Sequence, residues 1–282
     1  IIILIIKQFC NKFLFYVNFL IMQNICLIIG AGAGIGGNVA KVFAKNDYHV
    51  YLTRRSDDHG LKKLIDQINN NGGKASGELL NAVKDDTIEN LVNNIENKLG
   101  PIDVVVYNLG AQIGNKKLEN LTLKQFDLGI KMGTLGLFRL AKTLFPYMEK
   151  RGSGTLIATS STASIRGNRG QHSHAAAMGA RRMLCQTLND EFSSKGIHII
   201  HTIIDGAVDA PDTLGKMLGA EAYEKLRNDV GLEKDGLILP EKIAESYLYL
   251  AKQHRSTWTH EIDFRAYTDQ PWWNTATDNY NF

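Results

Sequence analysis

The chain has 282 residues, 44% of them hydrophobic, which is enough to bury a full core and short enough for a single α/β domain. Its formal net charge is only +3, with Lys and Arg scattered among Asp and Glu, which excludes the one-sided basic surface of a nucleic-acid binder and leaves small anionic ligands open. Cys10, Cys26 and Cys185 are odd in number and widely spaced, with no CxxC or His-Cys cluster. That pattern implies neither a disulfide framework nor a metal site, and a reducing, cytoplasmic setting fits best.

Residues 1–21 are apolar and aromatic but are interrupted by Lys7, Asn11, Lys12 and Asn18, and no small-residue cleavage pattern follows. As a membrane anchor they would carry two costly lysines. The first methionine is Met22 and the first strand starts three residues later. The segment therefore reads as upstream translated sequence, and a membrane partner is expected only if it is native. The expected organisation is an extension over 1–21, one domain over 22–268 and a tail over 269–282.

Ile25 to Ile29 is a short apolar run, as a strand buried on both faces should be. It meets the cluster Gly30-Ala31-Gly32-Ala33-Gly34-Ile35-Gly36-Gly37, after which Val39, Val42 and Phe43 recur at helical spacing. Glycines there let the chain turn tightly and let a pyrophosphate approach the helix N-terminal amides. Two registers fit, Gly30-x-x-x-Gly34-x-Gly36 and Gly32-x-Gly34-x-x-Gly37. The first is preferred because it starts at the strand end.

Strand and helix then alternate, which predicts a parallel sheet covered on both faces. His49–Thr53 reads as a strand, Leu61–Asn70 as a helix stopped by Gly72-Gly73, and Ala75–Leu80 as a weaker strand. Thr87–Leu99 is a helix ended by Gly100-Pro101, and Val104–Tyr107 is the fourth strand. A long helix is expected over Phe126–Glu149, with Phe126, Ile130, Leu137, Phe138, Ala141, Leu144, Phe145 and Met148 on related faces. Thr155–Ser160 is strand five, Ala175–Ser194 a helix, and Ile197–Ile204 strand six. Pro211–Leu239 breaks the rhythm as short helices of a substrate-side insertion. A helix over Glu241–Gln253 and a strand over Glu261–Phe264 restore it. Trp272 and Trp273 in the tail read as packing anchors or a subunit contact. The expected fold is α/β, a doubly wound, Rossmann-like parallel sheet of about seven strands.

Together these pieces resemble the short-chain dehydrogenase/reductase family across nearly all of Met22 to about Arg265. The TGxxxGIG turn of that family is matched by Ile29 to Gly36, and its NNAG turn by Tyr107-Asn108-Leu109-Gly110. Its adenine-contacting Asp-Val is matched by Asn81-Ala82, and its PGxVxT turn by Asp205-Gly206-Ala207-Val208-Asp209-Ala210. The resemblance implies cofactor contacts at Gly30, Gly34, Ile35, Gly36, Asn81, Ala82, Asn108, Gly110, Gly206 and Val208. It also implies a homodimer or homotetramer through the helices holding Leu137–Met148 and Ala176–Leu188, where Ala175-Ala176-Ala177, Gly179 and Ala180 allow close approach.

Enzymes of this family use a tyrosine as general acid/base, a lysine one turn later that lowers its pKa and binds the nicotinamide ribose, a serine that orients the substrate, and a relay asparagine. Here the serine position is Ser161. Thirteen residues on, Tyr-x-Ala-Ser-Lys is replaced by His174-Ala175-Ala176-Ala177-Met178, and the asparagine falls on Gly133. Met178 supplies neither charge nor donor, and the next lysine is Lys195. His174 could be the acid, since imidazole titrates near neutrality, in which case activity should fall as pH rises. His172 and His174 could equally be polar residues at a helix start, and Ser161 a cap.

After strand two an acid favours NAD, whereas arginine favours the 2′-phosphate of NADP. The sequence offers Arg54-Arg55 with no acid until Asp57, so NADP(H) is expected over NAD(H). The expectation is an NADPH-linked oxidoreductase that reduces a carbonyl or related small substrate with an altered proton donor. The competing expectation is an inactive dinucleotide-binding module serving as sensor, scaffold or partner subunit.

Overall fold

A computed structural model of the chain describes residues 24–110, 116–231 and 233–269. The apolar extension at 1–21 and the tryptophans Trp272 and Trp273 lie outside the described residues. In chain order the elements are β1 (Ile25–Ile29), α1 (Ile35–Ala44), β2 (His49–Arg54), α2 (Asp58–Asn70), β3 (Lys74–Leu79), α3 (Thr87–Lys98) and β4 (Ile102–Tyr107). Then come α4 (Leu123–Ile130), a π-helical turn (Lys131–Leu135), α5 (Gly136–Arg151), β5 (Gly154–Ser161), α6 (His172–Phe192) and β6 (Ile197–Ile204). After short helical turns from Pro211, the chain forms α7 (Ala220–Leu226), α8 (Pro240–Ala251) and β7 (Glu261–Phe264).

All seven strands are parallel, in the order β3-β2-β1-β4-β5-β6-β7. The order reverses between β1 and β4, and the crevice at the carboxyl ends of those two strands is where such sheets bind ligands. Strand β1 divides its side chains between two cores. Cys26 and Ile28 pack with Val39, Phe43, Leu61 and Tyr247 from α1, α2 and α8. Ile25, Leu27 and Ile29 pack with Ile88, Leu91, Leu137, Leu144 and Cys185 from α3, α5 and α6. Burial on both faces explains why β1 and most of β4 read as continuous apolar runs.

Local chemistry sets several boundaries away from those expected. Helix α2 starts three residues early, because the Asp57 carboxylate accepts from the Gly60 amide at 2.9 Å and caps it. Helix α4 starts at Leu123 through a capping box in which Thr122 and Gln125 bind each other's backbone amides. The single long helix expected over Phe126–Glu149 is interrupted by the π turn at Lys131–Leu135. Phe138, expected on the packed face, is 47% exposed. Helix α6 begins at His172 instead of Ala175, with no side-chain cap to mark its start.

Strand β6 buries every residue, His198 and His201 included. His201 Nδ1 lies 3.0 Å from Glu261, which also takes a two-pronged bond from Arg182 at 2.7 Å. Burial drives the His201 imidazole down to about 4, more strongly than Glu261 holds it up. Because its folded value lies below the unfolded one, the stability it contributes is full above about pH 6.5 and is lost as pH falls toward 4. At pH 5 the loss from this ring alone should be about 2 kcal/mol. Urea unfolding at pH 7 and pH 5 checks this, and His201→Asn should flatten the difference.

Candidate active site

The glycine turn is built against strand ends. The amides of Gly30 and Ala31 donate to the Thr53 carbonyl at 3.2 and 2.9 Å, and Asn108 Nδ2 donates to the Gly30 carbonyl at 3.0 Å. Gly30 has φ +98°, a left-handed conformation that disfavours side chains. A Cβ on Gly36 would collide with the Gly30 carbonyl, so α1 can start this close only with glycine there. The preferred register thus carries the close packing, although Gly37 also lies against Gly32, the pair of the other register.

This cradle fits a dinucleotide. Space beside Gly32 and Gly110 is open where a Cβ would project, and Gly34 at the start of α1 offers no side-chain cap to the amides of the first turn. At the end of β2, Arg54 Nε donates to the Ala31 carbonyl at 2.7 Å and its Nη1 pairs with Asp57. Arg55 beside it is exposed. Ala82 is buried, and the Asn81 carbonyl accepts from Thr87 at 3.0 Å. On the far side Gly206 has φ +151°, and Val208 bridges Ile238, which brings the insertion back to the sheet. A Cβ on Gly34 would approach Ala210 to 2.9 Å, so the insertion starts against the glycine turn.

Ser161 ends β5 and His174 sits in the first turn of α6. Their side chains meet, with Ser161 Oγ 3.0 Å from His174 Nε2. His174 is buried and its Nδ1 has no hydrogen-bond partner. An orphaned lone pair costs less than an orphaned N–H, so the proton belongs on Nε2, where it is donated to Ser161. Burial, aided by the charge of Arg181, lowers the ring to about 4. The expectation of an imidazole titrating near neutrality is therefore corrected: the ring is neutral through the physiological range. His172 is exposed and takes no part in this contact. Met178 fills the lysine position as a buried side chain, its sulfur accepting from Ser160 Oγ at 3.6 Å.

Sequence reasoning missed Arg181, three residues beyond Met178 and wholly buried. Its guanidinium donates to the carbonyls of Gly133 and Leu109, both at 2.7 Å, and of Thr159, and lies 5.1 Å from the centre of the Tyr107 ring. The available signal was its spacing on one helical stripe with Ala177, Met178 and Cys185, but an arginine there ordinarily reads as solvated.

The sequence profile described as short chain dehydrogenase matches residues 24–216. The chain belongs to the short-chain dehydrogenase family. It is 28% identical over 239 residues to 3-oxoacyl-(acyl-carrier-protein) reductase of Thermotoga maritima, a match covering 85% of this chain and 94% of that protein. It is 26% identical over 224 residues to 7alpha-hydroxysteroid dehydrogenase of Escherichia coli K12, covering 79% and 85%. A short-chain dehydrogenase structure from Rhodopseudomonas palustris superposes with TM-score 0.71 at 27% identity, over 86% of this chain and 99% of that one. These short-chain dehydrogenase relatives are oxidoreductases, and the family binds NAD(P), in agreement with the cradle at Gly30–Gly36. No helix among the described residues is long and apolar enough to cross a membrane.

Gly36→Ala is expected to weaken binding of NADPH or NADH at least tenfold, since the Gly30 carbonyl must retreat from the new methyl group. Quenching of intrinsic fluorescence on titration measures it, with Gly167→Ala, exposed and in open space, as the control.

Proposed function

We propose that the protein is an NADPH-linked reductase acting in the cytoplasm on a carbonyl or related small substrate, with Ser161 and His174 as the groups facing the reacting oxygen. The observation that carries the reading is the 3.0 Å contact between Ser161 and a buried, neutral His174. Gly30, Gly34, Ile35 and Gly36 would hold the pyrophosphate, Asn81 and Ala82 the adenine, and Asn108, Gly110, Gly206 and Val208 would line the remaining cofactor path. Arg54 and Arg55 support a 2′-phosphate, because the two acids that follow them are already paired, Asp57 with Arg54 and Asp58 with Lys62.

The cofactor, when bound, supplies a hydride to the substrate carbon. Ser161 orients the carbonyl oxygen. As the carbon–oxygen electron pair moves onto that oxygen, Ser161 would pass its hydroxyl proton to it and take the Nε2 proton of His174, and water would reprotonate the ring as hydroxide leaves to solvent. A neutral imidazole polarises a carbonyl in this way when its pKa is held low. The ring thus replaces the tyrosine phenol as an acid that works from its uncharged state. The inactive-module reading gains no support from the relatives, which are oxidoreductases. A second copy of the chain is the proposed partner, through α4, the π turn, α5 and α6, which leave Leu123, Leu135, Phe138 and Met183 exposed.

Two measurements test this. Competitive binding should favour NADPH over NADH, and Arg54→Asp should reduce that preference at least tenfold; an unchanged preference would remove Arg54 from the phosphate site. In an NADPH-consumption assay over a carbonyl panel, His174→Ala should lose about a hundredfold to ten-thousandfold in kcat, with NADPH affinity within a few-fold. The native rate should be flat between about pH 5.5 and 8, because the ring stays neutral there. A tenfold fall per pH unit would instead identify the imidazolium as the acid.

A further inference from the structure

The Arg181 guanidinium is fully buried and forms no ion pair among the described residues. A buried cation without a counter-ion is costly, and an apolar side chain of similar volume would fill the space at less expense. Three carbonyls nevertheless converge on it, and each belongs to a segment that frames the crevice. Leu109 lies between Asn108 and Gly110 in the turn after β4, Gly133 stands where the relay asparagine is matched, and Thr159 is two residues before Ser161 on β5. Arg181 and His174 are seven residues apart on α6, two turns along one face. On the reading that His174 donates the proton, we propose that Arg181 is a positioning residue that takes the electrostatic place of the absent lysine from inside the fold, clamping the three segments and setting a permanent positive charge under the Ser161–His174 pair.

Among the described residues no carboxylate pairs with the guanidinium. It is faced by Tyr107 from β4, Cys185 from its own helix and Tyr247 from α8, and it acts electrostatically on His174 and on His201 of β6. Burial pushes Tyr107, Cys185 and Tyr247 each up to about 12, so all three stay neutral. Arginine keeps its proton even where burial lowers its pKa, so it cannot serve as a relay. What it supplies is a constant field. A nearby cation favours the less positive member of every protonation pair: imidazole over imidazolium, and imidazolate over imidazole. The second effect makes the neutral Nε2–H a better acid, as a lysine does for a tyrosine phenol. It also gives Met178 a reason, since a lysine one turn from Arg181 would face a second buried cation.

The test is a titration of 15N-histidine-labelled protein, without cofactor, by long-range proton–nitrogen spectra of the native chain, Arg181→Gln and Arg181→Lys. In the native chain His174 should remain unprotonated at pH 5. In Arg181→Gln, which keeps donors but loses the charge, its midpoint should rise by about half a unit or more, roughly threefold in proton affinity. In Arg181→Lys, which keeps the charge, it should stay near the native value. A midpoint unmoved in Arg181→Gln, or moved equally in both variants, overturns the proposal. Should Arg181→Gln fail to fold, Arg181→Lys decides through NADPH binding, because one ammonium cannot reach three carbonyls. A tenfold loss of affinity with an unmoved His174 titration supports the clamp; unchanged affinity or a shifted titration overturns it. None of these readouts needs turnover. A chain that shows the shift but reduces no carbonyl would overturn the reductase reading and leave the Arg181 assignment standing.

Discussion

A guanidinium that cannot lose its proton and meets no carboxylate among the described residues must be satisfied by backbone carbonyls, and three separate segments turn theirs inward to Arg181. An uninterrupted α-helix would commit its carbonyls to amides four residues on. The chain between Leu123 and Arg151 instead opens into a π turn, where the Gly133 carbonyl takes Arg181 and the Met132 carbonyl takes the Tyr107 hydroxyl at 2.6 Å. Thr134 Oγ1 ties the same turn to the Ala177 carbonyl of α6 at 2.8 Å. Irregular backbone at this point is the geometric counterpart of a buried charge.

The cofactor cradle and the Ser161–His174 pair are coupled through two adjacent residues. Asn108 holds the Gly30 carbonyl with its side chain, while Leu109 gives its own carbonyl to Arg181. The turn after β4 therefore joins the glycine turn on one side to helix α6 on the other, at the point where the strand order reverses.

The sheet and the glycine turn were legible in the sequence because each is written locally. An apolar run, a glycine cluster and a helical period follow one another within Ile25–Ala44, and the later units repeat that grammar. Ser161 and His174 were legible through the spacing of a resembling motif, and their contact in space follows from it. The start of α6 was not legible, since Gln171 provides no side-chain cap and leaves no mark of a helix end. Nor was the charge state of His174, which depends on how deeply the ring is enclosed. Arg181 was the largest omission: its three carbonyls come from segments far apart in the chain, and no local pattern distinguishes a buried arginine on a helix from one that points into water.

Arg181 and Arg182 are neighbours on α6 that reach in different directions, the first into the interior and the second to Glu261 on the edge strand β7. The helix carrying His174 is thus moored to the last strand of the sheet. Glu261 is made some eighty residues after Arg182, so a growing chain holds α6 before it holds the carboxylate that moors it.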